Sequence, residues 1–242
     1  MTPATYVLVH GAWGGAHSWH RVRPLLAAEG HEVFTPSLTG IGERSHLTSP
    51  TVSLSTHVTD VVNTVLYEDL DDIVLLGFSY GGMVVTGALP HIGDRVRELV
   101  FLDAFVPTDG QSALDILGRP APPTEIEPTW QLPPMPREFE DPDEGAWNER
   151  RRSPQPIRTF TEPVRLATPL DTLGCGLTYI KATGDPRAAE GPDAFWDAAD
   201  RVRDDPRWRY HEIDSNHMIP QNRPGELAAI LLPLAEHLHD DD

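Results

Sequence analysis

Short apolar runs alternate with amphipathic stretches along most of the chain. The run at residues 73–76 is unbroken, which is typical of a strand buried on both faces. Six strands are predicted, at residues 6–9, 31–35, 73–76, 97–103, 177–182 and 208–213. Helical spacing predicts helices at residues 18–29, 53–70, 192–202 and 224–238, and a further helix from Gly81 that Pro90 closes. This alternation predicts an α/β fold, a mainly parallel six-stranded sheet with helices on both faces.

The alternation stops between residues 106 and 170. This 65-residue segment holds 13 of the 24 prolines, and proline at that density disfavours central strands and long helices. A connector of this length is uncommon in a compact domain, and Trp130 and Trp147 are available for burial. We therefore predict one domain, residues 1–242, with a core of 1–105 and 171–242 and a cap insertion of 106–170. A disordered linker is the alternative, and residues 237–242 are predicted to fray.

Composition limits the partners more than it defines the activity. The formal net charge of -18 and the pI near 4.8 argue against nucleic acid and anionic membrane surfaces as partners. Cys175 is the only cysteine, which excludes an intrachain disulfide and favours a reducing compartment. With no signal-peptide pattern and no membrane-length apolar run, we expect a cytoplasmic protein. His17 and His20 form only a weak metal pair, so no metal is expected, and the oligomeric state stays open.

One serine lies at the junction of a predicted strand and a predicted helix. Residues 77–81 read Gly-Phe-Ser-Tyr-Gly, a G-x-S-x-G pattern with Ser79 at its centre. Glycines relieve the crowding where a strand turns directly into a helix, and the serine hydroxyl is then exposed on a sharp turn. This context is the one that the nucleophile elbow of serine hydrolases requires. The pattern predicts that Ser79 is a catalytic nucleophile.

A serine nucleophile needs an imidazole to take its proton and a carboxylate to orient that imidazole. Ligands of parallel sheets bind at the carboxyl ends of the strands, so residues just after each strand are the candidates. His217 follows the last predicted strand, and Asp185 follows the strand before it. The order serine, acid, histidine is the one that this motif predicts. We favour Asp185 as the acid and keep Asp103, at the end of the strand after the elbow helix, as the alternative.

The tetrahedral intermediate of acyl transfer needs hydrogen-bond donors for its oxyanion. The backbone N–H of Tyr80, directly after the nucleophile, is predicted to be one donor. Residues 10–13, His-Gly-Ala-Trp, follow the first strand, and the N–H of Ala12 is our candidate for the second. Trp13 and Phe78 are candidates for the wall of the substrate pocket.

The first strand, turn and helix also invite comparison with a dinucleotide-binding unit. However, Gly11, Gly14 and Gly15 do not make G-x-G-x-x-G, and the strand at 31–35 does not end in an acidic ribose ligand. We therefore expect no nucleotide cofactor. The loop at residues 36–50 either shapes the mouth of the site or is simply solvated, and the second role is favoured.

Five segments together resemble the α/β-hydrolase superfamily, and more narrowly the small esterases grouped with plant hydroxynitrile lyases and methyl-salicylate esterases. The segments are residues 10–13, 77–82 and 102–107 and the loops that hold Asp185 and His217. The resemblance extends over nearly the whole chain and is least informative across residues 106–170.

The resemblance implies a cofactor-free carboxylic ester hydrolase with the triad Ser79, Asp185 and His217. Two positions depart from the pattern. Many relatives carry histidine where this chain has Phe78, which changes the pocket wall. The lyases carry lysine after the catalytic histidine, whereas this chain has Met218, which favours an ester hydrolase.

Three functions follow from these residues. The favoured one is a serine esterase that forms an acyl-enzyme with a small or medium hydrophobic ester. The second is non-hydrolytic, lyase-like chemistry with Ser79 as a proton relay, and the third is a receptor that binds its ligand without turnover. Fold likeness alone does not choose between them.

Overall fold

The computed structural model describes residues 3–120 and 130–235. A six-stranded parallel sheet has the order β2-β1-β3-β4-β7-β8, and β5 and β6 form a separate antiparallel pair. The strands are β1 (Thr5–Val9), β2 (Glu32–Phe34), β3 (Ile73–Phe78), β4 (Val96–Leu102), β5 (Gln131–Leu132), β6 (Gln155–Pro156), β7 (Gly176–Ala182) and β8 (Trp208–Ile213). All six predicted strands are confirmed.

Helices cover both faces of the sheet, as predicted. They are α1 (Arg23–Ala28), α2 (Leu54–Tyr67), α3 (Gly81–Ile92), α4 (Ala113–Ile116), α5 (Pro142–Glu149), α6 (Arg158–Thr161), α7 (Ala194–Arg203), α8 (Ile219–Asn222) and α9 (Pro224–Leu231). One apolar core buries Val61 of α2 and Val84 of α3, and the other buries Leu26 of α1 and Leu227 of α9. Because β3 and β4 lie between the two cores, the side chains of β3 and of residues 99–102 in β4 are apolar on both faces.

Several helix boundaries differ from the predicted ones, and proline accounts for two of these differences. The predicted helix at 18–29 is split into a 3₁₀ turn (Ala16–Trp19) and α1, because Pro24 is tolerated only in the first turn of a helix. Pro90 does not close α3, which continues to Ile92. α9 ends at Leu231 before a 3₁₀ turn that contains Pro233, and residues 237–242, predicted to fray, lie outside the described residues.

The proline-rich segment 106–170 contributes to the core where it is described. It contains α4, α5, α6 and the β5–β6 pair, and Leu114, Phe160 and Val164 are buried in the same core as α2 and α3. Such packing is expected of a cap and is not expected of a disordered linker. The exact limits of the insertion stay a prediction.

The loop at residues 36–50 has a buried part and an exposed part. Leu38 and Ile41 are fully buried, whereas residues 43–47 are exposed, so only its second half is the solvated loop we favoured. Within residues 3–120 and 130–235, no helix is long and apolar enough to cross a membrane.

The strand ends that carry candidate chemistry lie side by side. Phe78 pairs with Leu102, and Leu102 pairs with Ile180, so β3, β4 and β7 end at nearly the same level. Residues that directly follow β3 and β4 are therefore neighbours. The fold brings Ser79 and Asp103 to one edge of the sheet.

Candidate active site

Ser79 occupies a strained turn between β3 and α3. Its φ of 56° lies in the left-handed region, which a residue with a side chain rarely adopts. A Cβ on Gly77 would lie 2.7 Å from the carbonyl of Gly81, and a Cβ on Gly81 would lie 2.7 Å from the carbonyl oxygen of Val9. Only glycine fits at these two positions. The turn therefore has the backbone geometry that the sequence predicts for a nucleophile elbow.

A continuous chain of hydrogen bonds leads from Ser79 through His217 to Asp103. The Ser79 Oγ lies 2.9 Å from His217 Nε2, and His217 Nδ1 lies 2.6 Å from Asp103 Oδ2. All three residues are at most 7% exposed. The geometry joins a hydroxyl, an imidazole and a carboxylate within hydrogen-bond distance, which is the arrangement that a nucleophile, its base and an orienting acid require.

Asp103 is an ionised carboxylate held from two sides. Its Oδ1 accepts from the Lys181 ammonium at 2.8 Å and from the Ala182 N–H at 3.3 Å, which leaves Oδ2 for His217. Burial raises the pKa of Asp103, but the hydrogen bond and charge of His217 and the charge of Lys181 lower it more, so the net shift is downward. An ionised carboxylate can only accept a hydrogen bond. Nδ1 of His217 therefore carries the proton, and the lone pair of Nε2 faces the serine hydroxyl.

Asp185 also accepts a hydrogen bond from His217, but from its backbone and not from its ring. Its Oδ2 accepts from the backbone N–H of His217 at 2.8 Å, and its side chain is exposed. We expected Asp185 to orient the imidazole, and the geometry corrects this: Nδ1 is bonded to the alternative acid, Asp103. The physical reason is position. Asp103 directly follows β4, next to β3, whereas Asp185 lies three residues beyond the end of β7.

Two aromatic rings hold the imidazole of His217 in place. The ring of Phe78 lies 4.8 Å from it at 30°, and the ring of Phe195 lies 4.7 Å from it at 25°. Burial lowers the pKa of His217, the bond and charge of Asp103 raise it, and the net shift is downward. The imidazole is neutral at pH 7 and is able to act as a base.

Two free backbone donors point to a site for an oxyanion. Among the described residues, the N–H groups of Ala12 and Tyr80 have no hydrogen-bond acceptor, and both residues line a cavity with Ser79. The N–H of Trp13 is already bonded to Gln155 Oε1 at 2.8 Å. Ala12 and Tyr80 are therefore the donors available beside the nucleophile.

His10 fixes the loop that carries Ala12. The N–H of Leu38 donates to His10 Nε2 at 3.1 Å, so the proton of the neutral ring is on Nδ1, which donates to the carbonyl of Gly11 at 2.8 Å. Burial lowers the pKa of His10 to about 4. The ring keeps this tautomer throughout the neutral range.

A cavity of about 410 Å³ opens from Ser79 toward the 106–170 segment. Most of its lining is apolar, and Trp13, Phe105, Leu132 and Phe160 are among the residues that line it. The Trp13 indole also donates to the carbonyl of Leu132 at 3.0 Å, which ties the β5–β6 pair to the site. Phe78 lines a smaller space that also borders Ser79.

Sequence reasoning missed four side chains of the site: Lys181, Gln155, Phe195 and Arg137. Only Lys181 left a readable signal, because a lysine within a strand that is otherwise buried implies a buried carboxylate partner. For the weak pair His17 and His20, the part of the chain described here contains no group of three or more His, Cys, Asp or Glu side chains that could hold a metal ion.

The chain is similar to known proteins over nearly its whole length. The sequence profile of the alpha/beta hydrolase family matches residues 6–230. The carbendazim hydrolyzing esterase of Nocardioides sp. (strain SG-4G) is 35% identical over 247 residues, which cover 96% of this chain and 99% of that relative. Methylesterase 1 of Arabidopsis thaliana is 35% identical over 117 residues, 47% of this chain and 44% of the relative.

Solved structures share the fold over the full length. A variant of tomato methylketone synthase I, complexed with beta-ketoheptanoate, aligns over 98% of each chain with a TM-score of 0.78 at 20% sequence identity. At that identity the likeness shows the fold alone. The chain belongs to the alpha/beta hydrolase family. With esterases among its relatives, it is an ester hydrolase of that family, as the sequence predicted.

Proposed function

We propose that Ser79, His217 and Asp103 form the catalytic triad of this esterase. The observation that carries the proposal is the unbroken chain of hydrogen bonds from Ser79 Oγ through the imidazole to Asp103 Oδ2. Asp185 then has a positioning role, because it bonds only the backbone of His217 among these groups. Ala12 and Tyr80 supply the two N–H groups of the oxyanion hole.

In the acylation half, Ser79 Oγ forms a bond to the ester carbonyl carbon while its proton passes to His217 Nε2. The carbonyl oxygen becomes an oxyanion, which accepts hydrogen bonds from the N–H groups of Ala12 and Tyr80. The bond to the alkoxy oxygen then breaks, and that oxygen takes the proton from Nε2. An alcohol leaves, and an acyl group remains on Ser79.

In the deacylation half, water replaces the alcohol. His217 Nε2 takes one proton of the water as its oxygen bonds to the acyl carbon, and the oxyanion returns to the same two donors. Collapse of this intermediate breaks the bond to Ser79, whose Oγ recovers the proton from Nε2. The product is a carboxylic acid, and the enzyme is restored.

Asp103 stabilises the positively charged imidazole in both acylation and deacylation. His217 becomes positively charged at each tetrahedral intermediate, and a carboxylate 2.6 Å from Nδ1 stabilises that charge in a site without bulk water. Lys181 keeps Asp103 ionised and bonded through the opposite oxygen. The acid therefore acts as a fixed anion and does not take the proton.

The lining of the 410 Å³ cavity supports a small or medium ester with an apolar portion. The Nocardioides relative is named for the hydrolysis of carbendazim, and that compound belongs in a substrate panel for this chain. The residue after His217 is Met218, which offers no cation to a cyanide leaving group. Product analysis separates hydrolysis from lyase chemistry, since only hydrolysis yields an acid and an alcohol.

The test compares hydrolysis of p-nitrophenyl butyrate by the wild type and by Ser79→Ala at mildly alkaline pH. We expect saturable turnover by the wild type and a loss of kcat on the order of 10⁶-fold in the variant. Ser45→Ala, at an exposed loop position, is the control and should retain full activity. Equal rates in wild type and Ser79→Ala, both folded, would contradict the proposal.

We also propose a cytoplasmic location and a small-molecule substrate, without a nucleic-acid or membrane partner. The net charge of -18 and the single cysteine support these assignments. Fractionation of the native cells with detection by antibody tests the location. Finding the protein in the secreted fraction would contradict it.

A further inference from the structure

Two spaces of different character meet at Ser79. One is the mostly apolar cavity of about 410 Å³, and the other is a small pocket of about 30 Å³ bounded by the Gly11–Gly14 loop, Phe78 and His217. Arg137 lines both spaces, and Arg152 and Asn148 line the small pocket. An ester held at Ser79 therefore has an apolar side and a side rich in hydrogen-bond donors.

The guanidinium of Arg137 is not neutralised by an ion pair. Within the described ranges, it makes no hydrogen bond, and no carboxylate lies within 4.0 Å of it, although the residue is only partly exposed. Burial and, after it, the like charge of Arg152 lower the pKa of Arg137, while Asp185 and Asp103 raise it. Arg152 therefore lies close enough for its charge to act on Arg137.

Arg152 brings a second buried cation to the same place. Its side chain is 6% exposed, and its guanidinium lies 5.9 Å from the centre of the Trp13 ring. Its ion-pair partner among the described residues is Glu149, at 3.2 Å, whose carboxylate is 65% exposed. Water screens such an outward-facing partner, so it neutralises the buried guanidinium only in part.

The nearby acids are already committed to other groups. Asp103 is bonded to Lys181 and His217, and Asp185 accepts from the backbone N–H of His217. Holding the Arg137 guanidinium without a direct partner, beside an Arg152 whose carboxylate partner is exposed, costs free energy unless a ligand supplies the negative charge. In a chain whose net charge is -18, two cations at the nucleophile are the opposite of the general surface.

We propose that the preferred substrate is an ester that carries a free carboxylate group, bound by Arg137 and Arg152 in the small pocket. The inference rests on the proposed function of Ser79 and specifies its substrate class. The apolar body of the ester lies in the 410 Å³ cavity, and the ester carbonyl lies between the two spaces at Ser79. A planar guanidinium matches a carboxylate through two parallel N–H···O bonds, which makes arginine suited to this role.

The experiment compares acid-bearing esters with neutral ones of similar size at low ionic strength. Mono-p-nitrophenyl succinate is paired with p-nitrophenyl butyrate, and 4-acetoxybenzoate is paired with phenyl acetate. The first pair places the carboxylate on the acyl side, and the second places it on the leaving-group side. We expect kcat/KM for one acid-bearing ester to exceed that of its neutral partner roughly 10-fold or more, mainly through a lower KM.

Arg137→Gln and Arg152→Gln should each bring that ratio close to one. Arg150→Gln is the matched control, since Arg150 lies only two residues before Arg152, in a run of three arginines, but is exposed and does not line the pocket. Added salt should also reduce the preference of the wild type.

The outcomes keep the two proposals apart. If the neutral esters are hydrolysed in a Ser79-dependent way but neither acid-bearing ester is preferred, the substrate class is wrong and the triad stands. A preference that survives in both arginine variants would also overturn the substrate class. If no ester is hydrolysed, or if hydrolysis survives in Ser79→Ala, the proposed function itself fails.

Discussion

The loops after β4 and β7 each present an aspartate to His217, and they hold different parts of it. Asp103 is 1% exposed, has a φ of 38° and faces the imidazole, whereas Asp185 is exposed and bonds the backbone N–H. A carboxylate at Nδ1 controls the tautomer and charge of the ring. A carboxylate at the backbone fixes where the loop lies and acts on the charge of the ring only weakly.

The comparison shows that the distance of an aspartate from the end of its strand determines which part of His217 it can reach. Both aspartates fit the chain order of serine, acid and histidine. Only Asp103 directly follows the strand next to β3, at the level of Ser79. Asp103 also has a cation beside it. The Lys181 ammonium contacts Asp103 at 2.8 Å and stabilises the buried carboxylate.

The largest effect should come from Asp103→Asn. An asparagine amide removes the negative charge and favours the wrong tautomer of His217, so kcat should fall on the order of 10⁴-fold, as in serine proteases with the same change. Steady-state kinetics with p-nitrophenyl butyrate measure the loss, and circular dichroism checks the fold. A folded variant with less than a tenfold loss would remove Asp103 from the triad.

Lys181→Met should have the next largest effect, on stability. It leaves Asp103 buried without its cation, which we expect to lower the free energy of unfolding by about 3–5 kcal/mol. Urea unfolding measures this quantity. Arg187→Met is the control because Arg187 and its partners Asp197 and Asp200 are all well exposed, and we expect a much smaller change in the free energy of unfolding. Equal losses in the two variants would show that Lys181 is not a special partner of Asp103.

Asp185→Asn should have a much smaller effect than Asp103→Asn. The asparagine carbonyl oxygen can still accept from the backbone N–H of His217, so the loop keeps its bond and loses only a charge. We expect kcat/KM to fall less than about tenfold, in proportion to one weakened hydrogen bond. A loss on the order of 10⁴-fold would restore Asp185 as the acid.

The smallest effect is a shift of the acid limb of the pH profile. Burial lowers the pKa of His217, so in the wild type the limb should lie below the ordinary histidine value near 6.5. Asp103 raises this pKa, so residual activity of Asp103→Asn should retain its neutral base to a still lower pH. Asp185 raises the pKa of His217 less than Asp103 does, so Asp185→Asn should shift the acid limb less. A larger shift in Asp185→Asn would reverse the comparison.

Much of this arrangement follows from local sequence patterns. The six strands, the elbow at Ser79 and the place of His217 were predicted because each depends on a short run of neighbouring residues. The choice between Asp103 and Asp185 depends on which strands are adjacent and how far each loop extends, and neither is written in a local pattern. Lys181, a charged residue in a buried strand, was a further clue to a buried carboxylate partner.

The convergence of Arg137 and Arg152 was beyond sequence reasoning for a similar reason. Both lie in the proline-rich segment, where no helical or strand period fixes the direction of a side chain. Their approach to Ser79 depends on contacts such as Trp13 with Leu132 and Gln155, which join residues more than 100 positions apart.

The most direct test of the account is nitrogen NMR of histidine-labelled protein, which reports which nitrogen of His217 carries the proton. Comparison with His217→Gln assigns the signal. We predict the Nδ1–H tautomer in the wild type and in Asp185→Asn, and its loss in Asp103→Asn. Loss of that tautomer in Asp185→Asn, with Asp103→Asn unchanged, would contradict the account.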